Sequence, residues 1–306
     1  MIVVPVQPPF DFSITLRAAP FYSVLGRVHG DRYRRLFRAG GGFALIEFTQ
    51  APGDPPAIAA HLIASRGRID EAALWADVRH VINGEAERQP FYRYVDQSGN
   101  EALALTVRRL HGLHSFRFES LFDTLMITQV EQQISLRAAQ LAERWLCAWG
   151  GDSLEHGGHT YYTLPSPERL AAASVDDLIP TKITFGRMAR IIELARKVVV
   201  GEFNAAALRD APFDVIYPAV MALKGVGHWT AAWALIRATG RYIYLGRADV
   251  ALRAAVNTYY FGQTGRVDPD VMDRLFASFG DFAGHASYYT IMRYALEKYS
   301  PLTDPL

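Results

Sequence analysis

Apolar positions along the chain fall into two styles of pattern. Up to about residue 110 the runs are short and mixed. GGFALIEFTQ (41–50) and ALALTVRRL (102–110) are rich in residues that favour strands. PAIAAHLIASRG (56–67) and DEAALWADVRHVI (70–82) read as helices, and the Pro-Gly-Asp-Pro-Pro run at 52–56 as a loop. From about Ser115 helical spacing takes over. Residues 118–150 form two helical stretches with a break at 129–133. Ser166 and Pro167 supply an N-cap and N1 pair for the next helix. Further helices are predicted over 186–200, 214–223 (with Asp214 as its cap), 229–238, 248–256, 269–280 and 285–299. The chain therefore reads as α+β. A mixed N-terminal domain with an antiparallel sheet spans 1–112, and a helical region of two subdomains flanking a cleft spans 113–306.

Composition narrows the chemistry. Half of the 306 residues are apolar, and the length suggests two or three domains with ample core. The formal charge is +1, so any nucleic-acid contact must use local patches or backbone groups. The single cysteine, Cys147, lies in the apolar run RWLCAWG. It can form neither an intrachain disulfide nor a cysteine-ligated iron–sulfur cluster, and a buried thiol is expected. The N-terminus lacks the basic region of a signal peptide, and no apolar stretch is long enough to span a membrane. A soluble cytoplasmic protein, monomeric and free of membrane partners, is expected.

The densest chemistry lies in MALKGVGHWTAAW (221–233). Gly225 and Gly227 can take positive φ or admit another backbone. A helix starting just beyond them points unpaired N–H groups outward, and with its dipole these suit a phosphate. An ordinary helix–helix hairpin accounts for the same glycines. Trp229 and Trp233 share a helix face at i, i+4. They are either core or a platform for a planar, cationic base. Twenty residues after Trp229, Asp249 caps VALRAAV. The cap favours its ionised form, which suits stabilising a developing positive charge.

LKGVGHWTA followed by LGRADVALR resembles the helix-hairpin-helix DNA glycosylases, and within them the DNA-3-methyladenine glycosylase II type. VQPPFDFS, ITQVEQQISLRAAQLAERW, LPSPERLAAAS and FGRMARIIELARKV extend the resemblance over nearly the whole chain. It departs in two places. Gly246-Arg-Ala248 replaces the usual proline before the aspartate, and Gly284-His285-Ala-Ser-Tyr288 stands where the family often has a tryptophan before the Ser-Tyr pair.

The resemblance implies a role for each matching position. Asp249 would be the catalytic carboxylate. Trp229, Trp233, His285 and Tyr288 would line the pocket for an extruded base, with His285 a possible proton donor. Backbone N–H groups of Gly225, Gly227 and Thr230 would meet DNA phosphates. Gln132 or Gln133 would fill the gap left in the duplex, unless the glutamines are only a solvated helix break. Carbonyls of Met221, Leu223 and Val226 would hold a monovalent cation, and no other cofactor is needed. Glycosylase/lyases of this superfamily carry a lysine where Trp229 stands, and the chain has only Lys182, Lys197, Lys224 and Lys298. A monofunctional glycosylase acting on alkylated purines in damaged double-stranded DNA follows, flipping the base and hydrolysing its N-glycosidic bond in base excision repair. The alternatives are an oxidised-purine glycosylase of the 8-oxoguanine kind and a non-catalytic DNA-binding module.

Overall fold

A computed structural model describes residues 1–299; the last residues of the expected helical region lie outside them. Five antiparallel strands, β1 (Ile2–Pro5), β2 (Gly26–His29), β3 (Arg32–Ala39), β4 (Gly42–Ala51) and β5 (Ala57–Arg66), form a sheet in the order β1-β5-β4-β3-β2. Helix α1 (Phe12–Tyr22) lies between β1 and β2, and α2 (Glu71–Ile82) follows β5. One face of the sheet, with Phe37, Ile46, Phe48 and Ile58, packs on Leu74, Val78 and Ile82 of α2. Leu36 and Leu45 on the other face meet Leu154 and Tyr161 of a small hairpin, β6 (Ser153–His156) and β7 (His159–Tyr162).

The remaining elements are helical. They are α3 (Gln89–Gln97), α4 (Glu101–Arg109), α5 (Leu121–Glu131), α6 (Leu136–Gly150), α7 (Pro167–Ala171), α8 (Phe185–Val199) and α9 (Ala205–Arg209). Then come α10 (Phe213–Met221), α11 (His228–Thr239), α12 (Val250–Phe261), α13 (Pro269–Ala277) and α14 (Ala283–Lys298). They build two apolar cores. One gathers α5, α6, α8 and α10; the other gathers α1, α3, α4, α12, α13 and α14. Thus three helices that precede residue 112, α1, α3 and α4, share a core with the C-terminal helices.

Helix α11 belongs to both cores. Ala231, Ala234, Leu235 and Ala238 enter the first, and Ala232 and Ile236 the second. Its alanines let helices approach from two sides, which leaves one stripe, Trp229, Trp233 and Arg237, for other work.

Three elements differ from expectation. Residues 57–66 form a strand rather than a helix. The alanine-rich segment pairs with β4 through Phe48↔Ala60 and with β1 through Ile2↔Ala60, so both edges are satisfied and tertiary pairing overrides helix propensity. Residues 101–109 form a helix rather than a strand. Asn100 caps it by accepting the Leu103 N–H at 2.9 Å, and Leu103, Thr106 and Val107 are buried at helical spacing. The helix at 213–221 starts from Pro212, which places Asp214 in the first turn rather than at the cap. Cys147 is buried, and burial pushes its thiol well above the usual range.

Candidate active site and hairpin

The turn between α10 and α11 holds its two glycines for different reasons. Gly225 sits at φ +77°, where a side chain is strained, and a Cβ there would collide with the Arg190 side chain. Gly227 is the N-cap of α11 at φ −105°, an ordinary backbone conformation, and a Cβ there would meet no protein atom within 4 Å. The Ala231 N–H is the first to bond back, to the Gly227 carbonyl at 3.0 Å. The amides of His228, Trp229 and Thr230 thus occupy the unpaired first turn. Open space in front of Gly227 and these donors form an anion-accepting surface.

The indole and carboxylate groups meet directly. Asp249 caps α12, its Oδ1 accepting the Leu252 N–H at 2.8 Å. Its Oδ2 accepts Trp229 Nε1–H at 2.8 Å and Trp233 Nε1–H at 3.4 Å. The carboxylate is only 6 % exposed and takes three N–H donors, so its position is fixed on three sides.

His228 positions the loop that carries Asp249. Its Nε2–H donates to the Tyr244 carbonyl at 2.7 Å, which leaves Nδ1 to accept from Tyr217 Oη–H at 2.8 Å. Gly246, at φ +84°, lies against the same ring, where a Cβ would come within 2.6 Å of it. This accounts for glycine at that position.

Tyr288 is fully buried behind Trp233, with ring centroids 6.4 Å apart, and its hydroxyl bonds Ser115 Oγ at 2.8 Å. His285 sits one ring further away, 4.5 Å from Tyr242 and 5.0 Å from Phe91 between centroids. Burial and then the charge of Arg88 push its pKa down to about 4. The ring is neutral at pH 7 and has no imidazolium proton to give.

The two glutamines divide. Gln132 Nε2 donates to the Gly225 carbonyl and to Thr230 Oγ1, both at 2.8 Å, and its Oε1 accepts from Arg190. Arg187 donates to the Gln132 carbonyl. Gln132 thereby ties the α5–α6 break to the hairpin. Gln133 is exposed at φ +56° and stands at the tip of the break. Leu223 already accepts the Val226 N–H at 3.1 Å, which leaves one lone pair on that carbonyl. No cluster of metal-ligating side chains occurs among the described residues.

Sequence reasoning did not single out Arg187, Arg190, His228 or Arg237. Arg237 stacks over Trp233, 5.2 Å from the ring centroid, and forms a bidentate pair with Glu131 at 2.6 and 2.8 Å. Its spacing, four residues after Trp233 and eight after Trp229, was the available signal. The lysines are engaged elsewhere: Lys182 over Trp145, Lys197 with Glu202, Lys224 with Glu193 and Lys298 over Tyr294.

A tight hairpin with unpaired first-turn amides, joined through two indoles to a capping aspartate, agrees with the resemblance to the helix-hairpin-helix DNA glycosylases. The chain is 30% identical over 148 residues to the DNA-3-methyladenine glycosylase of Bacillus subtilis, a match covering 48% of this chain and 48%, about half, of that relative's length. Its fold is similar to that of the 3-methyladenine DNA-glycosylase from Archaeoglobus fulgidus, with a TM-score of 0.78, 20% identity, and 99% of this chain and 100% of that one covered. It is also similar to the 8-oxoguanine glycosylase/lyase of Clostridium acetobutylicum, with a TM-score of 0.69, 15% identity and 95% of each chain covered. No protein-family model matches the chain. Among the described residues no helix is long and apolar enough to cross a membrane.

Proposed function

We propose that the protein is a monofunctional DNA glycosylase that releases alkylated purines from double-stranded DNA by hydrolysis. The observation that carries this reading is the carboxylate of Asp249 held by the Nε1–H groups of Trp229 and Trp233. Nearly the whole chain would serve it, with the five-stranded sheet laid against a helical glycosylase region that includes α3 and α4.

The hairpin amides, flanked by Arg187 and Arg190, would hold the DNA backbone, and a cation on the carbonyls of Met221, Leu223 and Val226 would add a bridge to phosphate. Gln133 would enter the gap as the nucleotide flips, an extrusion that costs a few kcal/mol. Tryptophan faces suit a purine made cationic by alkylation. Such a base leaves without an acid, consistent with a neutral His285. As the bond breaks, positive charge grows on the sugar. A carboxylate at 4 Å is worth about 4 kcal/mol at an effective dielectric near 20, or roughly three decades of rate. Water then adds to the sugar carbon.

An 8-oxoguanine-type reading draws only on the shared fold and lacks an amine at position 229. The test is Asp249→Asn, in which asparagine remains a good cap. Affinity for lesion-bearing duplex should persist while base release falls by roughly three decades. Release at the parent rate would sink the mechanism. Borohydride added during turnover should trap no adduct, and a trapped adduct would restore the lyase reading.

A further inference from the structure

Beyond the far end of α11 lies a cavity of about 460 Å³, lined by Arg88, Arg117, Arg209, Arg241, Tyr242 and His285 among others. Thr239 and Gly240, at the C-terminal end of the 12-residue helix, form part of its rim. The hairpin stands at the other end, roughly 18 Å away at 1.5 Å per residue. Asp249, Trp229 and Trp233 take no part in the lining.

Four guanidinium groups converge here, and most of their hydrogen bonds go to neutral acceptors. Arg88, 1 % exposed, donates to the Gln7 carbonyl at 3.0 Å and to His114 Nδ1 at 2.9 Å. Arg209 donates to the Glu119 carbonyl at 3.0 Å, and Arg241 to the Ala211 carbonyl at 2.6 Å. Carboxylates compensate only in part. Glu87 and Asp210 are on the wall, Arg209 pairs with Asp210 at 3.4 Å and lies 4.0 Å from Asp77, and Arg117 reaches outward to the exposed Glu85 at 3.0 Å. The Nε atoms of Arg88, Arg117 and Arg209 and the Nδ1 of His285 are buried without a partner. These atoms are closed off from the cavity, so an anion there would meet the terminal guanidinium nitrogens, and buried charge of this kind is costly unless an acceptor joins it. Arginine forks match a tetrahedral oxyanion, and the Tyr242 and His285 rings, tilted at 41° to each other, give an aromatic side to the cavity for whatever the anion carries.

We propose that this cavity binds a small phosphate-bearing anion, at a site separate from the hairpin and Asp249. The volume exceeds what orthophosphate alone would fill, so a phosphate ester also fits. His80 on the same wall, like His285, is pushed down to about 4, by burial and then by Arg209 and Arg117. This agrees with a wall that repels added positive charge.

The test uses the full chain and three probes: sodium phosphate, adenosine 5′-monophosphate, and sodium chloride at matched ionic strength. Both phosphates should raise the unfolding midpoint saturably, and chloride should not. Arg241→Gln should weaken phosphate binding about tenfold, the loss of one charge-assisted pair, while base release from lesion-bearing DNA stays at the parent rate. In the unaltered protein the His285 and His80 ring signals should titrate at higher pH with phosphate present, a readout that needs no variant. No saturable response, or a response untouched by both Arg241→Gln and Arg117→Gln, would overturn the site. An effect of these variants on duplex affinity alone would also overturn it, because the arginines would then serve DNA rather than a free anion.

Discussion

Asp249 carries two duties on one side chain. Oδ1 completes a helix cap and Oδ2 receives two indole N–H groups. Removing one donor from a carboxylate this deeply buried should cost about 1.5–3 kcal/mol, the range for a hydrogen bond to a charged group. The two tryptophans differ, because the Trp229 bond is 2.8 Å and the Trp233 contact is 3.4 Å, at the outer limit of useful geometry. A double-mutant cycle in urea should therefore give a coupling of about 1.5–3 kcal/mol between Trp229→Phe and Asp249→Asn. The cycle with Trp233→Phe should give clearly less. Equal couplings would mean that both indoles hold the carboxylate alike. The aspartate and tryptophans were legible in the sequence because cap position and i, i+4 spacing are local. Their direct bond was not, since the loop of 240–248 that folds Asp249 back onto α11 has no periodic signal.

At the scale of elements, the hairpin and the α5–α6 break behave as one unit through Gln132. Their glycines can be separated experimentally. Gly225→Ala forces a side chain into positive φ, at roughly 1–2 kcal/mol, and displaces Arg190 from Gln132. Gly227→Ala meets no protein atom and should change stability by about 1 kcal/mol or less. Its methyl would instead occupy the space proposed for phosphate. Calorimetry and duplex titration together should show Gly225→Ala losing both stability and affinity, and Gly227→Ala losing affinity alone. Intact duplex affinity in Gly227→Ala would remove the phosphate from that surface. Helices with clear periodicity, such as α2, α8 and α13, were legible. Residues 57–66 and 101–109 exchanged identities because alanine content and Leu/Val/Thr content are weak guides. Sheet partners decided the first, and an Asn100 cap with buried i, i+3, i+4 positions decided the second.

Across the whole molecule, one buried joint links the chain start, the sheet-packing helix and the helical cores. Arg88 holds the carbonyls of Gln7 and Pro9 and donates to His114 Nδ1, while His114 Nε2–H donates to the Ile82 carbonyl at the end of α2. Burial, then the Arg88 charge, pushes His114 from 6.5 down to about 3. Between those values the unfolded chain binds a proton that the folded chain refuses. The contribution of His114 is therefore complete above pH 6.5 and is lost as pH falls toward 3, at about 1.4 kcal/mol per pH unit. Asp123 and Asp77 act in the opposite sense. Burial and Glu119 raise them from 3.8 to about 7 and about 6, so acid favours the folded form through them. The raw acid profile mixes these signs, and a variant separates them. The stability of the parent minus that of His114→Gln should stay level above pH 6.5. Between pH 6 and pH 4 it should shrink by about 1.4 kcal/mol per unit. A difference that stays level throughout would place the folded and unfolded pKa values together, and Arg88 would then not be holding a neutral ring.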